Sequence, residues 1–178
     1  MLQKSSMSKT KEIFFVEPSR KHYLTSISRN TKIAHTSIKK NIQTLQKEGF
    51  IKEIKEIRGT RTFPHFLANT NRSFIEQKMI YNISTLLETN LITFLEEKLM
   101  PKAIVLFGSY RRGEDREDSD IDLFIESKNE QIDLKKFEKK LKRNIQLHFK
   151  ETFTSYPKEL KNNIINGIVL FGFLEGFR

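Results

Sequence analysis

The sequence contains no cysteine in 178 residues. Disulfides and thiolate metal sites are therefore excluded, and a reducing compartment is compatible with the chain. No stretch approaches the roughly 18 continuous apolar residues of a membrane span. The start, MLQKSSMSKTKEIFF, lacks the long apolar core of a secretion signal. The expectation is a soluble, cytoplasmic protein with no membrane partner. An internal repeat of roughly 20–50 residues is missing as well, and so is any low-complexity tract. Acidic residues are scarce at one end. Residues 1–69 hold 5 Asp+Glu against 14 Lys+Arg, a net of +9, whereas residues 70–178 hold 17 against 18, a net of +1. That asymmetry points to a polyanion partner, nucleic acid before a membrane surface; solubility alone is the other explanation of a basic total. What is present suffices for a core: 37% of residues are hydrophobic and 15 are phenylalanine. Global disorder is excluded, and the length allows one large domain or two small ones.

In the basic third, KTKEIFFVEPSRKHY holds a first helix that ends near Pro18. Leu24 and Ile27 mark a second helical face, RNTKIAH reads as a turn, and Ile38, Ile42 and Leu45 recur at helical spacing. Gly49 stands where a helix C-cap belongs, with Lys47 near the negative end of the dipole. Ala34 precedes this helix without a capping side chain, so the helix starts at Thr36 or lacks a side-chain cap. FIKEIKEI then reads as a period-2 strand with Ile51, Ile54 (by a one-residue slip) and Ile57 as its apolar positions. RGT turns, and RTFPHFLA returns, with Pro64 implying an edge. This order resembles a winged helix-turn-helix. With Ile38, Ile42 and Leu45 inward at about 100° per residue, the outer face carries Thr36, Lys40, Gln43, Thr44 and Lys47. Those donors suit base edges and phosphates of double-stranded DNA, and Arg58 and Arg61 flank the tip of the hairpin. A small helical domain with a solvated face, or a winged helix that binds protein, fits the same pattern.

The middle, NRSFIEQKMIYNISTLLETNLITFLEEKLMPKA, has no glycine and a helical apolar period. One long helix or two in sequence fit, with Asn82 or Asn90 as breaks, and this segment is the candidate homodimer surface. Beyond it, AIVLF (103–107) is a short, wholly apolar run, hence a buried strand. Gly108 and Ser109 come at once after it. A glycine there lets main-chain N–H groups face a phosphate, and a short helix starting at Ser109 aims its positive end the same way. Arg111 and Arg112 add charge, Gly113 lets the chain turn, and EDREDS reads as a charged linker without chemistry of its own. In the strand DIDLFIE, Asp120 and Asp122 share a face while Ile121, Leu123 and Ile125 point into the core. Adjacent carboxylates repel, and a hard divalent cation such as Mg2+ relieves the repulsion.

The motif G-S-x-x-R-G followed by S-D-I-D-L, carried by Gly108, Ser109, Arg112, Gly113, Ser119, Asp120, Ile121, Asp122 and Leu123, resembles the DNA polymerase beta-like nucleotidyltransferase superfamily. Within it the minimal nucleotidyltransferase branch is the nearest likeness. The resemblance implies that Gly108 and Ser109 hold NTP phosphates, with Arg112 alongside, and that Asp120 and Asp122 coordinate Mg2+ in a two-metal site. ATP is the favoured NTP, and the acceptor is a protein or a nucleic acid. It further implies a third acid on a neighbouring strand, but IQLHFKE places Gln146 there, with His148 two residues on. Gln can offer a carbonyl oxygen to a metal yet cannot act as a base, whereas His148 can be a base if it points at the site. Glu126 and Glu151 are less well placed. The expected fold class is α+β: a winged helix-turn-helix over residues 1–69, connecting helices over 70–100, and a nucleotidyltransferase-like domain over 101–178 with a mixed sheet flanked by helices. Two functions are compatible with this. One is an Mg2+-dependent nucleotidyltransferase carrying a DNA-binding domain. The other is a weak or inactive relative that serves as a DNA-binding regulator, of the toxin–antitoxin type that the resemblance suggests.

Overall fold

The computed structural model describes residues 4–153 and 157–175. The chain divides into two compact units, Met1–Ile75 and Glu76–Arg178. The first holds three helices, α1 (Ser6–Val16), α2 (Leu24–Thr31) and α3 (His35–Lys47), then an antiparallel hairpin of β1 (Ile51–Arg58) and β2 (Arg61–Ala68). Ser5 starts α1 by accepting the Ser8 N–H at 3.1 Å. The turn after α2 is shorter than RNTKIAH suggests: the helix continues to Thr31, and Lys32 leaves it with a left-handed φ of 57°. Thr31 supports that last turn through its hydroxyl, which donates to the Ile27 carbonyl at 2.8 Å. Ala34 caps α3 with no side-chain hydrogen bond.

Ile38, Ile42 and Leu45 are buried with Phe14, Phe15, Ile27 and Phe50. The rings of Phe15, Phe50 and Phe74 lie 4.8–5.4 Å apart. The base of the hairpin is secured by His22, which exchanges main-chain hydrogen bonds of 3.0 and 2.8 Å with Phe66. Only this half is covered. Ile51 is buried, but Ile54 and Ile57 are 37% and 75% exposed, so they are not core positions as the strand pattern suggests. A two-stranded ribbon has apolar support only where something packs on it.

The second unit is built from most of α4 (Arg72–Glu88), α5 (Leu91–Leu99), β3 (Ala103–Phe107), α6 (Gly108–Arg112), β4 (Ile121–Glu126), α7 (Lys135–Leu141), β5 (Ile145–Lys150), α8 (Lys158–Ile165) and β6 (Ile168–Gly172). The break between α4 and α5 falls at Asn90, whose φ is 61°. Asn82 lies inside α4. The sheet order is β5-β4-β3-β6, with β3 antiparallel to both neighbours and β4 parallel to β5. The unit is thus α+β with a mixed sheet flanked by helices. One sheet face carries Ile104, Leu106, Ile121, Leu123, Ile125 and Ile145 against Leu91, Leu95 and Leu99 of α5 and Phe137 and Leu141 of α7. The opposite face packs Val105, Phe107 and Phe124 on Phe153 and on Ile164 of α8. Residues two apart share a face, so Asp122 lies on the α8 side with Phe124. No helix among the described residues is long and apolar enough to cross a membrane.

Candidate active site

Because β3 and β4 are antiparallel, the end of one and the start of the other meet at one edge of the sheet, where Phe107 is opposite Asp122. Parallel β5 brings Gln146 opposite Asp122 and His148 opposite Phe124. All five residues of β3 are buried, so the strand is a fixed support for the turn at its end. Gly108 makes that turn with φ +76°, and a Cβ there would collide with Asp122 Oδ2. Only glycine meets both demands: the left-handed backbone and the close approach of the carboxylate to it. The Ser109 hydroxyl, half-buried in the first turn of α6, has no hydrogen-bond partner among the described residues. Gly113 closes α6 at φ 73°. A tight turn then delivers Asp120: the Ser119 hydroxyl accepts the Arg116 N–H at 2.9 Å, and the Ser119 N–H donates to the Arg116 carbonyl at 3.2 Å.

Four carboxylate oxygens converge here, and three have partners. Asn144 Nδ2 donates to Asp120 Oδ1 at 3.2 Å, and Gln146 Nε2 donates to Asp120 Oδ2 at 2.7 Å. His148 Nε2 lies 3.1 Å from Asp122 Oδ1, and its ring meets the Phe107 ring edge-on at 5.1 Å. Asp122 Oδ2 packs against Gly108, where any other residue would carry its Cβ. The structure therefore brings Gly108, Asp120, Asp122, Gln146 and His148 together. Arg112 is turned elsewhere, its Nε donating to Glu114 at 2.7 Å in an exposed ion pair. Glu126 is buried, with Oε1 accepting the Phe153 N–H at 3.0 Å.

The donor set fits Mg2+ under one condition. Two carboxylates supply hard oxygen ligands, but no group of three His, Cys, Asp or Glu among the described residues is placed to hold a metal by itself. Mg2+ commonly uses one or two carboxylates and takes its other ligands from substrate phosphates and water. Asp120 and Asp122 fit that role for one ion. The Gln146 amide, turned over, would present a neutral oxygen.

The charged linker after α6 contains the site's least expected feature. Asp115 is 2% exposed, and its carboxylate accepts from Lys78 Nζ at 2.7 Å, Asn82 Nδ2 at 2.7 Å and Arg143 Nη2 at 3.3 Å. Lys78 Nζ also donates to the Asp115 carbonyl. Asn82 and Tyr110 exchange bonds, Nδ2 to the Tyr110 carbonyl at 2.8 Å and the phenol to the Asn82 carbonyl at 3.3 Å. Burial pushes the Tyr110 phenol well above its usual value. The loop that carries Asp120 is thus pinned to α4 and to the start of β5. Removing one partner strands buried charge, so Asp115→Ala is expected to lower stability by about 3–5 kcal/mol in urea unfolding. Burial also holds the Lys78 ammonium below its usual value of 10.5, with the Asp115 charge and hydrogen bond opposing. The unfolded chain then binds more protons just below pH 10.5, so this group's contribution to stability rises with pH there. Lys78→Met is expected to remove that slope from alkaline unfolding curves.

In the first unit, Thr36, Lys40, Gln43, Thr44 and Lys47 all lie on the exposed face of α3, and Arg61 is exposed at the hairpin tip. The Thr44 hydroxyl donates to the Lys40 carbonyl at 3.1 Å, which leaves Thr36, Lys40, Gln43 and Lys47 as the outward polar ends of this face. The side chain of Arg58 lies outside the described part of the structure.

Comparison with known families matches residues 88–171 to the nucleotidyltransferase domain. That match supports the nucleotidyltransferase superfamily for the second unit. No curated protein and no solved structure matches the chain.

Proposed function

We propose, from a nucleotidyltransferase domain over residues 88–171, that the second unit binds an Mg2+–NTP complex, ATP above the others, and transfers its nucleotidyl group to a hydroxyl of a protein or nucleic-acid acceptor. The observation that carries this reading is Asp122 Oδ2 facing a glycine that has no room for a Cβ. This close packing sets the start of α6 against the carboxylate, so a phosphate held by the one lies beside a metal held by the other. Bound Mg2+ would supply charge neutralisation between the phosphates and the two aspartates. This chain's residues do the rest. The main-chain N–H groups at the start of α6 and the Ser109 hydroxyl hold phosphate oxygens, and Asp120 and Asp122 orient the complex. In the transfer, the acceptor oxygen bonds to the α-phosphorus, the α–β phosphoanhydride bond breaks, and pyrophosphate leaves. The acceptor's proton has no carboxylate at Gln146 to receive it and passes to water, so turnover is slow. Incubation with Mg2+ and labelled NTPs tests this: label transfer is expected with the native chain and not with Asp120→Ala, Asp122→Ala. Equal background in both contradicts transfer.

The first unit fits a winged helix-turn-helix that binds double-stranded DNA, with α3 as reader helix and the hairpin as wing. Its outward Lys40, Gln43 and Lys47 support this, as does the net +9 of residues 1–69. Lys40→Ala with Gln43→Ala is expected to weaken duplex binding by about 10- to 100-fold in a gel shift, at about 1–3 kcal/mol for a good base contact. A second reading, a DNA-binding regulator whose second unit only senses a nucleotide, is favoured by one contact, the Gln146 amide on Asp120. Nucleotide binding without transfer is its outcome.

A further inference from the structure

The second unit is balanced in charge overall, with 17 Lys+Arg and 17 Asp+Glu over residues 76–178, yet the segment KKFEKKLKR (135–143) has 6 basic residues against 1 acid. This is α7 and the two residues after it. Phe137 and Leu141 are buried in the sheet-facing core, so the helix is fixed by its apolar side. Lys135, Lys136, Lys139, Lys140 and Lys142 all remain exposed. None of the five is ion-paired with a described residue. Glu138 is drawn inward instead, where it accepts the Ile145 N–H at 3.1 Å. The Lys136 ammonium rests over the rings of Phe94 and Phe137, 4.3 and 4.7 Å from their centroids. Five like charges on one short segment, none of them ion-paired with a described residue, repel one another, which a polyanion would relieve.

The position matters as much as the charge. Lys142 ends α7 in a left-handed conformation, Arg143 reaches buried Asp115, and Asn144 touches Asp120 at 3.2 Å. A cleft of about 230 Å3 runs here, lined by Lys142, Arg143 and Asn144 together with Ser119 and the acidic Glu117, Asp118 and Glu138. The basic helix therefore leads along the chain to the aspartate pair within four residues of its end. No large apolar side chain of α7 is exposed, which leaves nothing to insert into a bilayer.

We propose that the lysine face of α7 binds the phosphodiester backbone of a nucleic-acid strand, a surface separate from α3, and that this strand is the acceptor of the site beside it. The second clause rests on the nucleotidyl-transfer reading; the first does not. Lysines spread over ~10 Å of helix, at 1.5 Å per residue, match a few successive phosphates. As flexible point charges they select the backbone rather than the base. A terminal or 2′ hydroxyl would bond to the α-phosphorus of the NTP as pyrophosphate leaves, and its proton would go to water.

The test is fluorescence anisotropy of single-stranded RNA, single-stranded DNA and duplex DNA with the full chain, without NTP, across a salt series. The variant Lys135→Gln, Lys139→Gln, Lys140→Gln changes three exposed side chains and leaves the active-site residues untouched. Single-strand affinity is expected to fall at least 10-fold, with the log–log salt slope shallower by about 2, at ~0.7 per lost phosphate contact. Duplex binding through α3 is expected to be kept. Comparison of the RNA and DNA arms identifies the strand. Unchanged single-strand affinity and slope overturn the proposal, and label transfer to a protein rather than to a strand in the NTP assay overturns its second clause. Asp120→Ala, Asp122→Ala is expected to bind strands like the native chain. Failure of transfer therefore shows in the NTP assay and failure of this surface in the salt series.

Discussion

Gln146→Asp is expected to raise nucleotidyl transfer by about 10²- to 10³-fold, in the range of a positioned general base. The local contacts argue for it. Gln146 pairs with Asp122 across β4 and β5, and its amide already reaches Asp120 at 2.7 Å, so a carboxylate there joins the same cluster. The neutral amide neutralises nothing and accepts no proton, whereas a carboxylate does both. Three acids so close also repel in the absence of a cation, so metal binding should tighten. Added Mg2+ should therefore raise the variant's melting temperature more than the native protein's. Initial rates of label incorporation, measured for Gln146→Asp and for the longer Gln146→Glu, check the prediction. Rates equal to the native protein's would place the limit elsewhere in the site.

Gly108→Ala is expected to abolish Mg2+–nucleotide binding to the limit of detection, a loss of at least about 10²-fold, since a misplacement of about 1 Å can have that effect. The new methyl meets Asp122 Oδ2, and the backbone at φ +76° resists any side chain. A left-handed residue other than glycine costs about 1–2 kcal/mol. The carboxylate must move or the start of α6 must, and either displaces a phosphate ligand from its metal ligand. Stability falls by the backbone term together with the strain of this shift, and unfolding curves separate a misplaced site from an unfolded one. Native affinity in a folded Gly108→Ala protein would contradict the role given to the close packing of Gly108 on Asp122.

Much of the site is readable in the sequence, and the reason is local. Gly108 comes directly after an all-apolar strand and Asp120 and Asp122 stand two apart at the start of another, so period and position fix which way they face. The α3 face is readable for the same reason, from Ile38, Ile42 and Leu45 at helical spacing. Ile54 and Ile57 mislead because Ile54 joins the period-2 pattern only by a one-residue slip, and because a strand pattern does not tell whether anything covers it. The Asp115 cluster escapes a sequence reading because its members are far apart in the chain and Asp115 lies in a run of acids. A trace exists nonetheless: Phe74, Lys78, Asn82 and Leu86 recur every four residues and all are buried, so two polar residues occupy an otherwise apolar stripe. Buried polar groups need partners, which an i, i+4 pair of Lys and Asn announces. Nothing in the sequence tells that Asn144 reaches Asp120, since that depends on how α7 hands over to β5.

The central claim is that Gly108, Asp120 and Asp122 form a metal-dependent nucleotide site. Calorimetric titration of ATP into the full chain tests it most directly, with Mg2+, with EDTA, and with Asp120→Ala, Asp122→Ala. The expected result is binding in Mg2+ alone, lost both in EDTA and in the variant. Equal binding in all three, or none in any, would contradict it.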